Sequence, residues 1–377
     1  MKFLHLADLH LGKRVNGFDM LEDQRFILEQ ILTLCEKHGV EAVVIAGDIY
    51  DTPVPPAAAC TLLDWFLTQL AARRIPVLAV SGNHDSAERL DFASSLLAEQ
   101  NVHIAGRFTG CPKQVVLNDR HGPIEFTLLP FVRAATVRHY LPDADITDYD
   151  SAVGAALAVC EPAAPRRVLV AHQMVVSGVC PPQLSGSETA PLTVGTVDSI
   201  DAARFAGFCY AALGHIHRAQ RVGMDAVRYA GAPLCYHLDE CGMQKSVTLV
   251  RVGKRGVEKI EQLPLTPRRA MRHLTGPLAR LTARPTDTED YIWATLTDPT
   301  PLPDAMAQLR TAYPNAMRLD YLPQGEVAHP LDMTQAVRGK PFVELFQDFF
   351  TKMNGRPLTV EETVAVKRLR EEASKSE

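Results

Sequence analysis

No run of about 18 apolar residues occurs in this 377-residue chain, so no membrane-spanning helix is expected. No Cys-x-x-Cys occurs among the eight cysteines, and Cys35, Cys60 and Cys209 lie inside apolar segments. That usage points to buried, reduced thiols rather than a disulfide framework. The apolar stretch after Met1-Lys2 is broken by His5, Asp8 and His10, which speaks against a secretory signal. A cytoplasmic protein is therefore expected. Internal repeats and low-complexity tracts are absent too. Nor is there an excess of positive charge: the net charge is −5, which does not mark an obvious nucleic-acid binder.

The charge is uneven along the chain. Residues 1–250 carry 20 Lys/Arg against 27 Asp/Glu, whereas residues 251–377 carry 19 against 17. Arg251–Arg284 alone holds nine basic and two acidic residues. Such a stretch can hold phosphates, or be a solvated basic surface.

Five short polar motifs stand in order: Asp8-Leu9-His10, Gly47-Asp48-Ile49-Tyr50-Asp51, Gly82-Asn83-His84-Asp85, Ala171-His172 and Gly214-His215-Ile216-His217. Each follows an apolar run that reads as a buried strand: Phe3–Ala7, Ala42–Ala46, Pro76–Val80, Arg167–Val170 and Cys209–Leu213. One such motif alone is weak, because Gly-Asp after a strand is often only a turn. Five in series, each at a strand end, can hold side chains around one cavity. Asp, Asn and His are oxygen and nitrogen donors that divalent transition metals accept. The set is too large for one ion and suits two. A carboxylate such as that of Asp48 can bridge a pair of ions about 3.5–4 Å apart, an arrangement that clamps a phosphate oxygen.

Strand and helix alternate over the first 100 residues, with helices predicted over Met20–Lys37, from Pro55-Pro56 to about Arg73, and over Asp85–Ala98. Thereafter strands dominate: Gln114–Leu117, Ile124–Leu129, Arg167–Val170, Cys209–Leu213, Ala226–Tyr229 and Ser246–Val252. This predicts a layered α/β body with a substantial sheet core. Ser177–Thr196 reads as a rim loop beside the site, and Leu263–Pro267 as a linker. A smaller α/β pattern follows (strand Tyr291–Leu296, helix Pro303–Ala312, strand Met317–Leu322). Two amphipathic helices, Pro341–Met353 and Thr359–Ala373, come last.

The five motifs resemble those of the calcineurin-like metallophosphoesterases. The resemblance implies a central β-sandwich flanked by helices, and two Mn²⁺ ions, with Mg²⁺ possible in their place. The first ion would take Asp8, His10, Asp48 and His217, and the second Asp48, Asn83, His172 and His215. His84 would act on the scissile phosphate as the catalytic acid, with Asp85 orienting its ring. MKFLHLADLHLG at the start, and ALGHIHRAQ and RYAGAPLCYHLDE within Tyr210–Glu240, resemble more narrowly the SbcD family of nuclease subunits. Several relatives have His where Asp51 stands, so Asp51 is read as a neighbour that orients a ligand histidine.

That branch implies an SbcC-type SMC-like ATPase as partner, DNA ends and hairpins as substrates, a homodimer within a heterotetramer, and a nucleoid-associated location. It implies 3′-to-5′ exonuclease and hairpin endonuclease activity in DNA repair, recombination and replication. The domains would be a nuclease domain over 1–265, a DNA-binding capping domain over 266–338 and partner-binding helices over 339–377. Phe342, Leu345, Phe346, Phe349 and Phe350 form an i, i+3, i+4, i+7, i+8 stripe suited to a partner groove. The helices Met20–Lys37 and Pro56–Arg73 are candidates for the dimer contact. Two alternatives stay open: a phosphatase or cyclic-nucleotide phosphodiesterase with the same metals, or a non-catalytic DNA-end clamp.

Overall fold

A computed structural model describes residues 1–178, 180–186, 199–283, 285–286, 288–322, 342–354, 356–359 and 362–366. Its contacts divide the chain into two compact units. The first is Met1–His273 with Glu289–Ile292, and the second Leu274–Thr288 with Trp293–Glu377.

The first unit is built on two six-stranded sheets. One runs Gly256–Pro264, Ser246–Gly253, Lys2–Leu6, Ala42–Ala46, Val77–Val80, Val102–Ala105. Its last four strands are mutually parallel. The other runs Gln220–Val222, Met224–Tyr229, Tyr210–Gly214, Arg166–His172, Gly122–Leu129, Lys113–Asp119, with a parallel centre. Alternate residues of each strand point to opposite faces. Phe3, Val44, Leu78, Phe126, Val168, Val170, Tyr210 and Ala212 meet between the sheets in one fully buried cluster. Phe3 packs edge-on against Phe126 and Tyr210, with ring centroids 5.6 and 5.7 Å away. The residues one step along, Leu169, Ala171, Ala211, Leu213 and Tyr229, face outward into a second core. That core includes Val137 of the helix Ala134–Tyr140, and Val153 and Ala156 of the helix Tyr149–Ala158. Burial on both faces explains why the parallel strands read as continuous apolar runs. Parallel strands also put their carboxyl ends at one edge, where open α/β sheets form their sites.

Two expectations change. Asp85–Ala98 is two short helices, Ala87–Asp91 and Ser94–Ala98, because Ala93 between them adopts φ 58°. Leu263 is no linker: it belongs to the edge strand Gly256–Pro264, paired with Val247. The helices expected to carry the dimer contact, observed as Leu21–His38 and Ala57–Ala72, bury Ile27, Leu28, Ile31, Leu62, Phe66 and Leu70 within their own unit. Phe26 on the first of these helices is exposed, as are Val54, Phe92 and Leu96 elsewhere.

In the second unit, the helices Leu278–Ala283 and Ala305–Ala312 bury Leu278, Ala305 and Leu309. Of a three-stranded sheet ordered Met271–Gly276, Tyr291–Leu296, Ala316–Tyr321, residues 274–276, 293–296 and 316–321 belong to this unit. The helix Phe342–Asn354 carries the aromatic stripe, with Phe349 60% exposed and the rings of Phe346 and Phe349 6.4 Å apart. Most of Ser177–Thr196, the proposed boundary at 338, and most of Thr359–Ala373 lie outside the described residues. No helix among the described residues is long and apolar enough to cross a membrane.

Candidate metal centre

All five motifs leave their strands at the same edge of the sandwich. The chain turns sharply there: Asp8, His10, Asp48 and His215 all have positive φ, at 53°, 45°, 47° and 106°. Main-chain hydrogen bonds hold the turns, from Asp8 N–H to the Gly47 carbonyl (3.1 Å) and from His10 N–H to the Asp48 carbonyl (2.9 Å). Three glycines let the loops close. A Cβ on Gly47 would enter the His172 ring, one on Gly82 would strike the Asp48 carboxylate, and one on Gly214 would strike the Ala46 carbonyl.

The donors converge in two overlapping sets. Asp8, His10 and His217 bring ligand atoms within 4.8 Å of one another, as do Asp8, Asp48 and His172. His10 Nε2 and His217 Nε2 face each other at 3.0 Å. Asn83 Oδ1 lies 3.0 Å from His172 Nε2 and 3.1 Å from His215 Nδ1. Asp48 Oδ2 stands between the sets, 3.6 Å from His10 Nε2 and 3.3 Å from His172 Nε2.

A further ring of groups fixes these donors, and here sequence reasoning was incomplete. His172 Nδ1 meets the Ala46 carbonyl at 2.8 Å, which directs Nε2 into the site. Asp51 Oδ1 lies 3.2 Å from His10 Nδ1 and accepts from Lys13 Nζ at 2.6 Å. Glu240, fully buried, lies 3.6 Å from His217 Nδ1 and pairs with Lys245. Lys245 Nζ also donates to the His217 carbonyl at 3.2 Å. Neither Glu240 nor Lys245 was singled out. Their only signal was an acidic and a basic residue close to the apolar strand Ser246–Gly253.

Asp85 needs correction. It does not orient His84. Its carboxylate accepts the main-chain N–H groups of Ile49 (3.1 Å), Tyr50 (2.8 Å) and Gly82 (2.8 Å), stapling the loop after Asp48 to the loop before Asn83. The His84 ring meets the Asp51 main-chain carbonyl through Nδ1 at 3.0 Å, and the His84 main-chain N–H donates to Asp48 Oδ1 at 2.9 Å.

The donor set fits divalent cations. Asp8 Oδ2 is buried without a hydrogen-bond partner, an expensive orphan unless a cation meets it. Burial and the neighbouring Asp48 carboxylate push the Asp8 carboxyl up to about 6. Burial alone would lower His172, but the Asp48 carboxylate beside it outweighs burial and holds the imidazole at about 9. Burial and the adjacent His172 take His215 down to about 3.

A pH dependence follows. His172 has a folded pKa above its unfolded value, so its contribution to stability is complete below about pH 6.5 and is lost as pH rises through about 9. The Asp8 shift acts at lower pH, between its ordinary carboxylate range and about 6. The metal-free chain should therefore lose on the order of 2 kcal/mol between pH 6.5 and 9. With His172 as a metal ligand, as the resemblance implies, divalent cations should abolish the slope, since a ligand imidazole is neutral throughout. Thermal melts with and without Mn²⁺ measure this, and equal slopes in both would reject it.

Residues 1–176 match the calcineurin-like phosphoesterase family. Residues 267–354 match the SbcD C-terminal family, described as the type 5 capsule protein repressor C-terminal domain. The chain belongs to the SbcD branch of the calcineurin-like metallophosphoesterases. It is a metal-dependent hydrolase with a candidate dimetal site. Solved structures similar to it include TT1561 of Thermus thermophilus, 13% identical over 70% of this chain and 98% of its own, with a TM-score of 0.38. A dimetal phosphatase from Danio rerio is 14% identical over 71% of this chain and 99% of its own (TM-score 0.35). The E. coli phosphoesterase Yfce is 15% identical over 69% and 98% (TM-score 0.29).

Proposed function

We propose that this chain is the nuclease subunit of an ATP-regulated DNA end-processing complex, hydrolysing phosphodiester bonds by 3′-to-5′ exonuclease and hairpin endonuclease action. The convergence of Asp8, His10, Asp48, Asn83, His172, His215 and His217 on one strand edge carries the reading. Two divalent cations, Mn²⁺ or Mg²⁺, would neutralise the phosphate and lower the pKa of attacking water. Asp8, His10, Asp48 and His217 would hold one, and Asp48, Asn83, His172 and His215 the other. Asp51 and Glu240 aim the rings of His10 and His217. His84, with Nδ1 committed to the Asp51 carbonyl, is left with Nε2 to protonate the leaving oxygen.

The remaining assignments rest on the SbcD C-terminal match. Residues 1–265 form the nuclease domain, 266–338 a capping domain on DNA, and 339–377 the helices that dock an SbcC-type ATPase. Leu345, Phe346, Phe349 and Phe350, on the helix that Phe342 opens, supply the docking stripe. A homodimer contact is assigned to the two early helices, Leu21–His38 and Ala57–Ala72, the first of which exposes Phe26.

The test is a Mn²⁺-dependent DNase assay on double-stranded ends and hairpins, with and without the ATPase. Cleavage of DNA is expected. Hydrolysis of phosphomonoesters or cyclic nucleotides but not DNA would favour the phosphatase reading, and DNA binding without cleavage the clamp. Phe346→Glu with Phe350→Glu, run alongside, should trim naked DNA normally yet fail to co-purify with the ATPase.

A further inference from the structure

One basic side chain beside the centre has no use in the scheme above. Arg218 directly follows His217 and is half-buried. Its Nη1 donates to Gln183 Oε1 at 2.8 Å. Gln220 secures that acceptor twice: its Oε1 accepts the Gln183 N–H at 2.9 Å, and its Nε2 donates to the Gln183 carbonyl at 2.8 Å. The same Nε2 lies 3.3 Å from the Arg218 carbonyl. Arg218 Nε is buried and has no acceptor.

The contrast with other basic groups is informative. Lys13 is paired with Asp51, Lys245 with Glu240, Arg166 with Asp119, Arg167 with Glu125 and Arg221 with Asp225. Arg218 makes no ion pair among the described residues; neutral amides alone align it. A half-buried guanidinium pays for lost water and needs an anion to recover it. Amide ties fix the side chain without neutralising it, and Nη2, which makes no hydrogen bond among the described residues and is not among the buried atoms, can donate to a phosphate oxygen.

We infer that Arg218 is a phosphate anchor for a polynucleotide, gripping a backbone phosphate next to the one being hydrolysed. It selects a nucleic-acid strand over a small phosphodiester. The inference rests on the nuclease reading and deepens it. Arg218 is a positioning residue: it holds substrate and takes no part in bond breaking.

The experiment compares wild type, Arg218→Ala and Arg218→Lys with Mn²⁺ on two substrates, a DNA duplex and bis(p-nitrophenyl) phosphate, and measures DNA binding across a salt series. Arg218→Ala should weaken DNA binding about tenfold, the worth of one charge-assisted hydrogen bond. It should also lower the slope of log affinity against log salt by roughly 0.7–0.9, the value of one phosphate contact. Hydrolysis of the small diester should change less than twofold, and Arg218→Lys should keep the slope. Equal losses on both substrates would mean that Arg218 only supports His217, and overturn the anchor. Unchanged DNA binding and salt slope would overturn it as well. A wild-type chain that hydrolyses the small diester but neither binds nor cuts DNA would bring down the nuclease reading, and the anchor with it.

Discussion

Asp48→Ala is expected to leave a folded chain whose phosphodiester hydrolysis is at background. Asp48 Oδ2 stands within 3.6 Å of His10 Nε2 and 3.3 Å of His172 Nε2, so one carboxylate serves both sets of donors. Its Oδ1 also receives the His84 N–H, which fixes the loop carrying the proposed acid. Truncation removes the bridge and loosens His84 together. The fold should survive, because Ala42–Ala46, the strand leading to Asp48, is held by its own ladder and burial. Metal analysis should find fewer than two ions per chain. Two tightly held ions in an active variant would reject the bridging role.

His84→Gln should behave differently, keeping both ions and losing about 10²–10⁴-fold in rate, the usual span for a side-chain acid or base. Glutamine keeps a polar group at the position but has no ring nitrogen to carry the proton. There is a real competitor for this role: His84, His10 and Asp51 also bring ligand atoms within 4.8 Å of one another. Metal content discriminates. If it falls in proportion to activity, His84 is a ligand and not the acid.

The strand ends were readable because a buried parallel strand writes itself as an apolar run, and the polar residue after it has one place to go. Phe3–Ala7 and Ala42–Ala46 show this, and Tyr291–Leu296 matches the observed strand end for end. Gly256–Pro264 was missed because an edge strand with Glu258, Lys259, Glu261 and Gln262 shows no apolar run. The helices Ala134–Tyr140 and Tyr149–Ala158 were missed because each is short. The residues that converge at the strand edge were legible from residue type and motif order. Their supports were not. Glu240 meets His217 across 23 positions of sequence and Lys13 meets Asp51 across 38, with no periodicity linking either pair. Asp85 misled for a related reason: adjacency to His84 suggested a contact, whereas the turn sends its carboxylate to three main-chain amides.

The left-handed backbone at Asp8, His10, Asp48 and His215 bears on how this enzyme can be engineered. A non-glycine residue held in a sparsely populated φ/ψ region costs on the order of 1–3 kcal/mol. Heat-resistance screens blind to catalysis should therefore gather glycine substitutions at these four positions, each gain bought with a proposed metal donor. Thermostable variants of use must draw their gains from elsewhere, such as the exposed faces of the helices Leu21–His38 and Ala57–Ala72, where the sandwich tolerates change and the strand-end turns stay as they are.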